Sequence, residues 1–221
     1  MQASIVTELV SNLTKAMGET FEMVGISLFA AIILGVPLGL FIYITSQGLF
    51  FESKTLNFVG GILVNVIRSV PFVILLVLLL PLTKLITGTT IGAKAASVPL
   101  SVAAVAFYAR LVEASFREVD RGVIEAAIAI GAKPFMIIRH VLLTEALPSL
   151  INGVTVTAIS LIGYSAMAGI VGGGGIGDLA IRFGYYRYET DVMLVTVVVL
   201  VVLVQVLQFL GDHFSKIVDK R

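Results

Sequence analysis

The chain contains no cysteine. That excludes a disulfide framework, a thiolate metal site and a cysteine nucleophile. Charge is scarce as well. Asp, Glu, Lys and Arg make up 13% of the 221 residues, about half of the roughly 25% found in soluble domains. So few charges cannot coat a water-facing surface, and lipid must solvate much of the protein. The net charge of +1 provides no extended basic field for nucleic acid. The first basic residue is Lys15, and no small-residue cleavage site follows the first apolar run, so a cleavable signal peptide is not expected. His140 and His213 are the only histidines. Neither has a His or Glu at ligand spacing on one helical face, so no metal centre is expected. No G-x-x-x-x-G-K-[ST] phosphate loop occurs. Gly172, Gly174 and Gly177 satisfy G-x-G-x-x-G, but an apolar helix precedes them where a dinucleotide site needs a strand. No cofactor is expected. Repeats, flexible linkers and low-complexity tracts are also missing, which leaves a single domain.

What is present in excess is apolar residues, 58% of the chain, with a mean hydropathy of +1.05. A spanning helix needs about 20 mostly apolar residues to cross roughly 30 Å of hydrocarbon. Five stretches qualify: Phe21 to Thr45, Asn57 to Leu82, Ile91 to Leu111, Leu147 to Val171 and Val192 to Gly211. Ahead of them, Ile5, Leu9, Leu13 and Met17 recur every four residues beside Val6 and Val10, while Glu8, Ser11, Lys15 and Glu19 occupy other positions. One apolar stripe on a short helix suits the membrane interface. The expected fold is therefore all-α and integral to the membrane, with five transmembrane helices and an N-terminal interfacial helix. With the 117–146 loop placed in the cytoplasm, nine Lys and Arg lie inside and five outside. The positive-inside bias then puts the N-terminus outside and the C-terminus in the cytoplasm.

The segment Glu125 to Pro148, EAAIAIGAKPFMIIRHVLLTEALP, is the most informative. Ala126, Ala127 and Ala129 favour a short helix. Gly131 permits a sharp change of direction, and Pro134 suits the first turn of a second helix. Two short helices set at an angle, with small residues at the tip, would let a partner's groove approach the backbone. Arg121, Glu125, Lys133 and Arg139 would make charged contacts at its rim.

This segment resembles the cytoplasmic coupling loop of ABC importer permeases. Their pattern is Glu-Ala-Ala, three residues, Gly, nine residues, an apolar residue, any residue, then Leu-Pro. Here it reads Glu125-Ala126-Ala127, Gly131 and Val141-Leu142-Leu143, with Thr144 in place of the final Pro. Asn65-Val66-Ile67-Arg68-Ser69-Val70-Pro71-Phe72, Gly163 to Gly169, Gly172 to Arg182 and Gly184-Tyr185-Tyr186-Arg187-Tyr188 are similar to the methionine-uptake (D-/L-methionine) branch of that family. The resemblance covers essentially the whole chain. It implies the type I importer-permease fold in the bacterial inner membrane and a non-catalytic transport subunit. It also implies pairing with a second copy, docking of two cytoplasmic ATPase subunits on the Glu125 loops, and delivery of methionine by an extracytoplasmic binding protein. A permease for another small solute is the alternative. An ATPase-independent carrier would need Asp or Glu within a span, and the five stretches hold none mid-span.

Two groups within the bilayer stand out. Arg68 is a lone charge deep in the second stretch, where such a charge costs roughly 2.5–3.5 kcal/mol and so needs a protein or water environment. It fits either a structural or gating contact near the pathway or a helix–helix hydrogen bond. Pro71, three residues on, predicts a kink. In the Gly-rich stretch, Met167 lies among the small residues Ser165 and Gly169. It fits either a flexible thioether closing a narrow pore or close helix packing with a loop.

Overall fold

The computed structural model describes residues 2–219, with side chains from residue 9 onward. Among these residues there are helices and turns and no strands. Helix α1 (Gln2–Ala30) runs through a π-helical turn (Ala31–Gly35) into α2 (Val36–Ile44). Pro37 opens α2 and cannot donate to the preceding turn, so the widened turn falls just before it.

The predicted interfacial helix is therefore not separate. No residue between 2 and 30 breaks the helix, and the stripe is the first part of the first apolar run. The helical run Leu9–Ile44 has 36 residues, about 54 Å at 1.5 Å per residue, far longer than a bilayer core. Leu13 and Met17, both partly buried, pack on a small core of Ala16, Ile176 and Leu179. The side chains of Ile5, Val6 and Glu8 lie outside the described residues.

The second predicted span is broken. Helix α3 (Lys54–Ser69) and helix α4 (Phe72–Leu78) meet at 103°. Pro71 enforces extended backbone on Val70, so the expected kink is a right-angle turn. Helix α5 (Leu80–Thr87) follows and ends at Gly88, which has φ +76°.

Helix α6 (Ala93–Arg117) is the hub, packing against α1, α2, α3, α4 and α5. Small residues make this possible. Gly39 of α2 lies against the Ala109 carbonyl and Val112, and Gly35 lies against Tyr108. Gly35 and Gly39, four residues apart, thus let this stretch approach α6 closely.

Beyond α6 come α7 (Arg121–Ala129), α8 (Pro134–Ile137), a π-helical turn (Ile138–Leu142) and α9 (Leu143–Ala168). The run Pro134–Val171 is one helix of 38 residues, so the second of the two expected short helices is the start of the fourth apolar run. Glycines 172–175 then turn the chain into α10 (Ile176–Leu179), which continues as a π-helical run (Ala180–Tyr186). The last helix, α11 (Thr190–Val218), packs on α9, where Gly211 fits against Thr155. Four helical runs are long and apolar enough to span a membrane, and the bent α3–α4 pair is a fifth candidate.

Candidate functional site

Three regions carry the residues singled out by the sequence: a tip at one end of the bundle, a broken helix near its middle and a glycine loop at the other end.

The tip is built locally. Asp120 accepts the Gly122 N–H at 2.7 Å and so starts α7. The helix ends in a Schellman turn: Ala132 N–H donates to the Ala127 carbonyl at 3.0 Å and Gly131 N–H to Ile128 at 2.9 Å. That turn requires positive φ, and Gly131 has +81°. Lys133 is extended before Pro134, which opens α8. Ile124, Ile137 and Leu142 anchor the tip to the core.

The opposite face is apolar and exposed. Ile130 is 86% exposed and Phe135 70%, with Ile128 and Met136 beside them. Exposed apolar residues grouped in this way are a candidate contact surface for a protein or a membrane. Around it, Arg121, Glu125, Ala126, Lys133 and Arg139 are exposed and Ala127 is half-buried. None of the four charged residues forms an ion pair within the described chain. Arg121 and Glu125 line a cavity of about 670 Å³ shared with Tyr43, Gln47, Asn57 and Arg117. The predicted tip residues lie on α7, on the turn that follows it and, for Arg139, on the π-helical turn after α8.

The sequence reading missed what supports them. Glu113 is buried at the end of α6 and pairs with Arg110 and, at 2.7 Å, with Arg117. Two arginines, each about one turn from Glu113, satisfy a carboxylate that burial would otherwise make costly. Glu113 thus fixes Arg117 beneath the tip. Charge spacing at i, i+3 and i+4 on one helix was the available signal. Phe135, on the second short helix, points away from the chain.

At the broken helix, Arg68 is exposed on the protomer surface and forms no ion pair or side-chain hydrogen bond among the described residues. It lines a cavity of about 200 Å³ with Phe72, Ala103, Phe107 and Tyr164. Phe72, just after Pro71, stacks on Tyr164 with centroids 4.9 Å apart.

At the glycine loop the predicted group divides. Ser165 is buried and donates to the Ile162 carbonyl at 2.8 Å. Met167 is 41% exposed. Gly169 is buried, and a β-carbon there would lie 2.5 Å from that of Asp178. Gly177 likewise rests on Ala166. These two glycines let α10 lie directly on the end of α9. Asp178 pairs with Arg182 at 2.6 Å.

Residues 7–221 match the family described as "Binding-protein-dependent transport system inner membrane component". The chain belongs to that family, the membrane-spanning permease subunits of importers that work with a binding protein. Among its relatives is the Vibrio cholerae "Probable D-methionine transport system permease protein MetI". It is 50% identical over 209 residues, 95% of this chain and 93% of that protein. The Bacillus subtilis "Methionine import system permease protein MetP" is 47% identical, covering 81% of each chain. A solved structure titled "Inward facing conformations of the MetNI methionine ABC transporter" contains a chain that superposes with a TM-score of 0.94. The two chains are 43% identical, over 96% of this chain and 99% of that one.

Proposed function

We propose that this chain is the methionine-translocating permease of an ATP-driven importer. Two copies form the pathway, and a cytoplasmic ATPase docks on each Glu125 tip. An extracytoplasmic binding protein delivers substrate to the opposite end. The observation that carries the coupling role is the exposed apolar tip of Ile128, Ile130, Phe135 and Met136, held rigid by its Schellman turn. The substrate assignment is supported by the named relatives at 47–50% identity.

The clustering of chain segments supports the orientation. Ser46–Phe50 lines one cavity with Arg117 and Arg121, and Asp219 lines another with Glu118 and Glu145. At the far end Lys94 approaches Glu22 and Glu19 meets Gly175. The inner membrane is then crossed five times, with the N-terminus outside and lipid on the exposed apolar flanks.

Mechanistically, the permease breaks no bonds. ATP binding draws the ATPases together, the tips move with them, and the long run Pro134–Val171 carries that motion toward the far end. Arg68 faces the pathway or the second copy, since an unpaired cation on a lipid face is costly. Met167 closes the outer end with Ser165 and Gly169 behind it.

The test is ATP-driven uptake of labelled methionine into proteoliposomes holding this chain, its ATPase and the binding protein. Uptake that needs all three and exceeds that of leucine or histidine supports the assignment. ATP hydrolysis without methionine movement keeps the coupling role and assigns the pathway to another solute. Absence of a co-purifying ATPase overturns the coupling role.

A further inference from the structure

The loop that joins α9 to α10 is held by a helix more than 150 residues away in sequence. Gly175 is the residue before α10, and its N–H donates to a carboxylate oxygen of Glu19 at 2.8 Å. The next donor, Ile176 N–H, bonds the Thr20 hydroxyl at 3.0 Å. The first amides of a helix have no partner within it and need one from elsewhere. Here α1 supplies both. The local sequence Gly172-Gly173-Gly174-Gly175 has no side chain that could.

The glycines are shaped to this contact. A side chain at Gly174 would collide with the Glu19 carboxylate, and one at Gly175 would come within 2.8 Å of the Thr20 hydroxyl and 2.9 Å of Met23. Gly172, Gly174 and Gly175 have φ of +80°, +78° and +93°, which side-chain-bearing residues rarely adopt. The charged group facing Glu19 is Lys15, 4.0 Å away and largely exposed. Met23 and Thr20 are buried.

We infer that Glu19 and Thr20 are positioning residues for transport, a latch on α1 that holds the Gly163–Gly177 segment in its closed arrangement. The inference rests on the reading of that segment as the outer gate. Gly172–Gly175 can change backbone angles at low cost, so the loop is a hinge, and two side-chain acceptors fix one of its states. Glu19 is partly exposed, so water replaces the Gly175 N–H when the latch opens. Release is therefore reversible. Because α10 continues to Tyr186, its angle follows the latch, and the aromatic run Tyr185, Tyr186 and Tyr188 at the surface moves with it.

The absence of cysteine gives a clean test. Ile170 is 65% exposed beside Met167. In Ile170→Cys, reaction with a membrane-impermeant maleimide added outside reports the gate in the full complex, without nucleotide and in the ATP–vanadate-trapped state. Glu19→Ala and Thr20→Val are each expected to speed labelling of the nucleotide-free complex by about tenfold, the factor for one lost hydrogen bond to a charged or buried acceptor. They should also raise the ATP consumed per substrate moved. Glu19→Gln keeps an acceptor oxygen and should stay within about threefold of the parent. Thr20→Val nearly preserves volume and remains informative if Glu19→Ala fails to assemble with the ATPase. Parent-like labelling in both Glu19→Ala and Thr20→Val, with the trapped state still different in the parent, overturns the latch and leaves the gate reading intact. Labelling that does not change with trapping even in the parent overturns the gate reading and the latch with it.

Discussion

The tip at Gly131 and the loop at Gly172–Gly175 both turn on glycines with positive φ. Their surroundings differ. Nothing lies within 4 Å of where a side chain at Gly131 would begin, whereas Gly173, Gly174 and Gly175 are crowded by Ala96 and Ala168, by Glu19, and by Thr20 and Met23. The tip is closed by hydrogen bonds spanning three and five residues. The loop opens with the same pair, Gly172 N–H to the Gly169 carbonyl and Gly173 N–H to the Ala168 carbonyl, but it is tied as well by bonds spanning 156 residues. A contact surface for a soluble partner must stand clear of its own chain, so it has to be stiffened from within. On the proposed gate reading, a moving element near the substrate path must be held by something it can leave.

This contrast can be broken from either side. The largest effect is expected from joint replacement Ile130→Asp and Phe135→Asp. Two exposed apolar anchors at about 2 kcal/mol each amount to loss of the ATPase on co-purification, with the permease's own melting temperature unchanged. A retained ATPase would remove the tip's assigned role. Next is Gly177→Val, which drives a branched side chain into Ala166. Overpacking of this kind costs about 3 kcal/mol, and the expected result is a lower melting temperature with the coupling tip untouched. Gly131→Ala comes third. It meets no atoms but forces a left-handed conformation at about 1–2 kcal/mol. It should increase ATP spent per methionine moved without changing the melting temperature. Glu113→Gln is the smallest, about 1 kcal/mol, because both arginines are about half exposed and the amide still accepts a hydrogen bond. A modest fall in transport with normal ATPase recruitment is expected.

The same contrast explains what the sequence could reveal. Glu125-Ala126-Ala127, Gly131 and Lys133-Pro134 are local signals, and they specified the helix, the turn and the restart found in the structure. The all-helical fold and the apolar runs were equally legible, since hydropathy is read residue by residue. Two boundaries failed for physical reasons. The stripe Leu9, Leu13, Met17 looks the same whether its partner is a headgroup layer or Ile176 and Leu179. Pro71 announces a kink, but its 103° size depends on how α4 packs on α6 and α9. Pairing of Glu19 with Gly175 could not be read at all, because neither residue carries a trace of the other in its neighbourhood. The outward direction of Phe135 was hidden similarly, since a short apolar helix face does not say which side is covered.

The most direct test places a photo-crosslinking side chain at Phe135 or, separately, at Tyr188, in membrane vesicles containing the whole transporter and its binding protein. Tyr188 is 85% exposed at the opposite end of the chain. The account predicts that the probe at position 135 forms an adduct with the ATPase and that the probe at 188 never does. An ATPase adduct from position 188, or an adduct between position 135 and the binding protein, would contradict both the coupling role of the tip and the orientation of the chain.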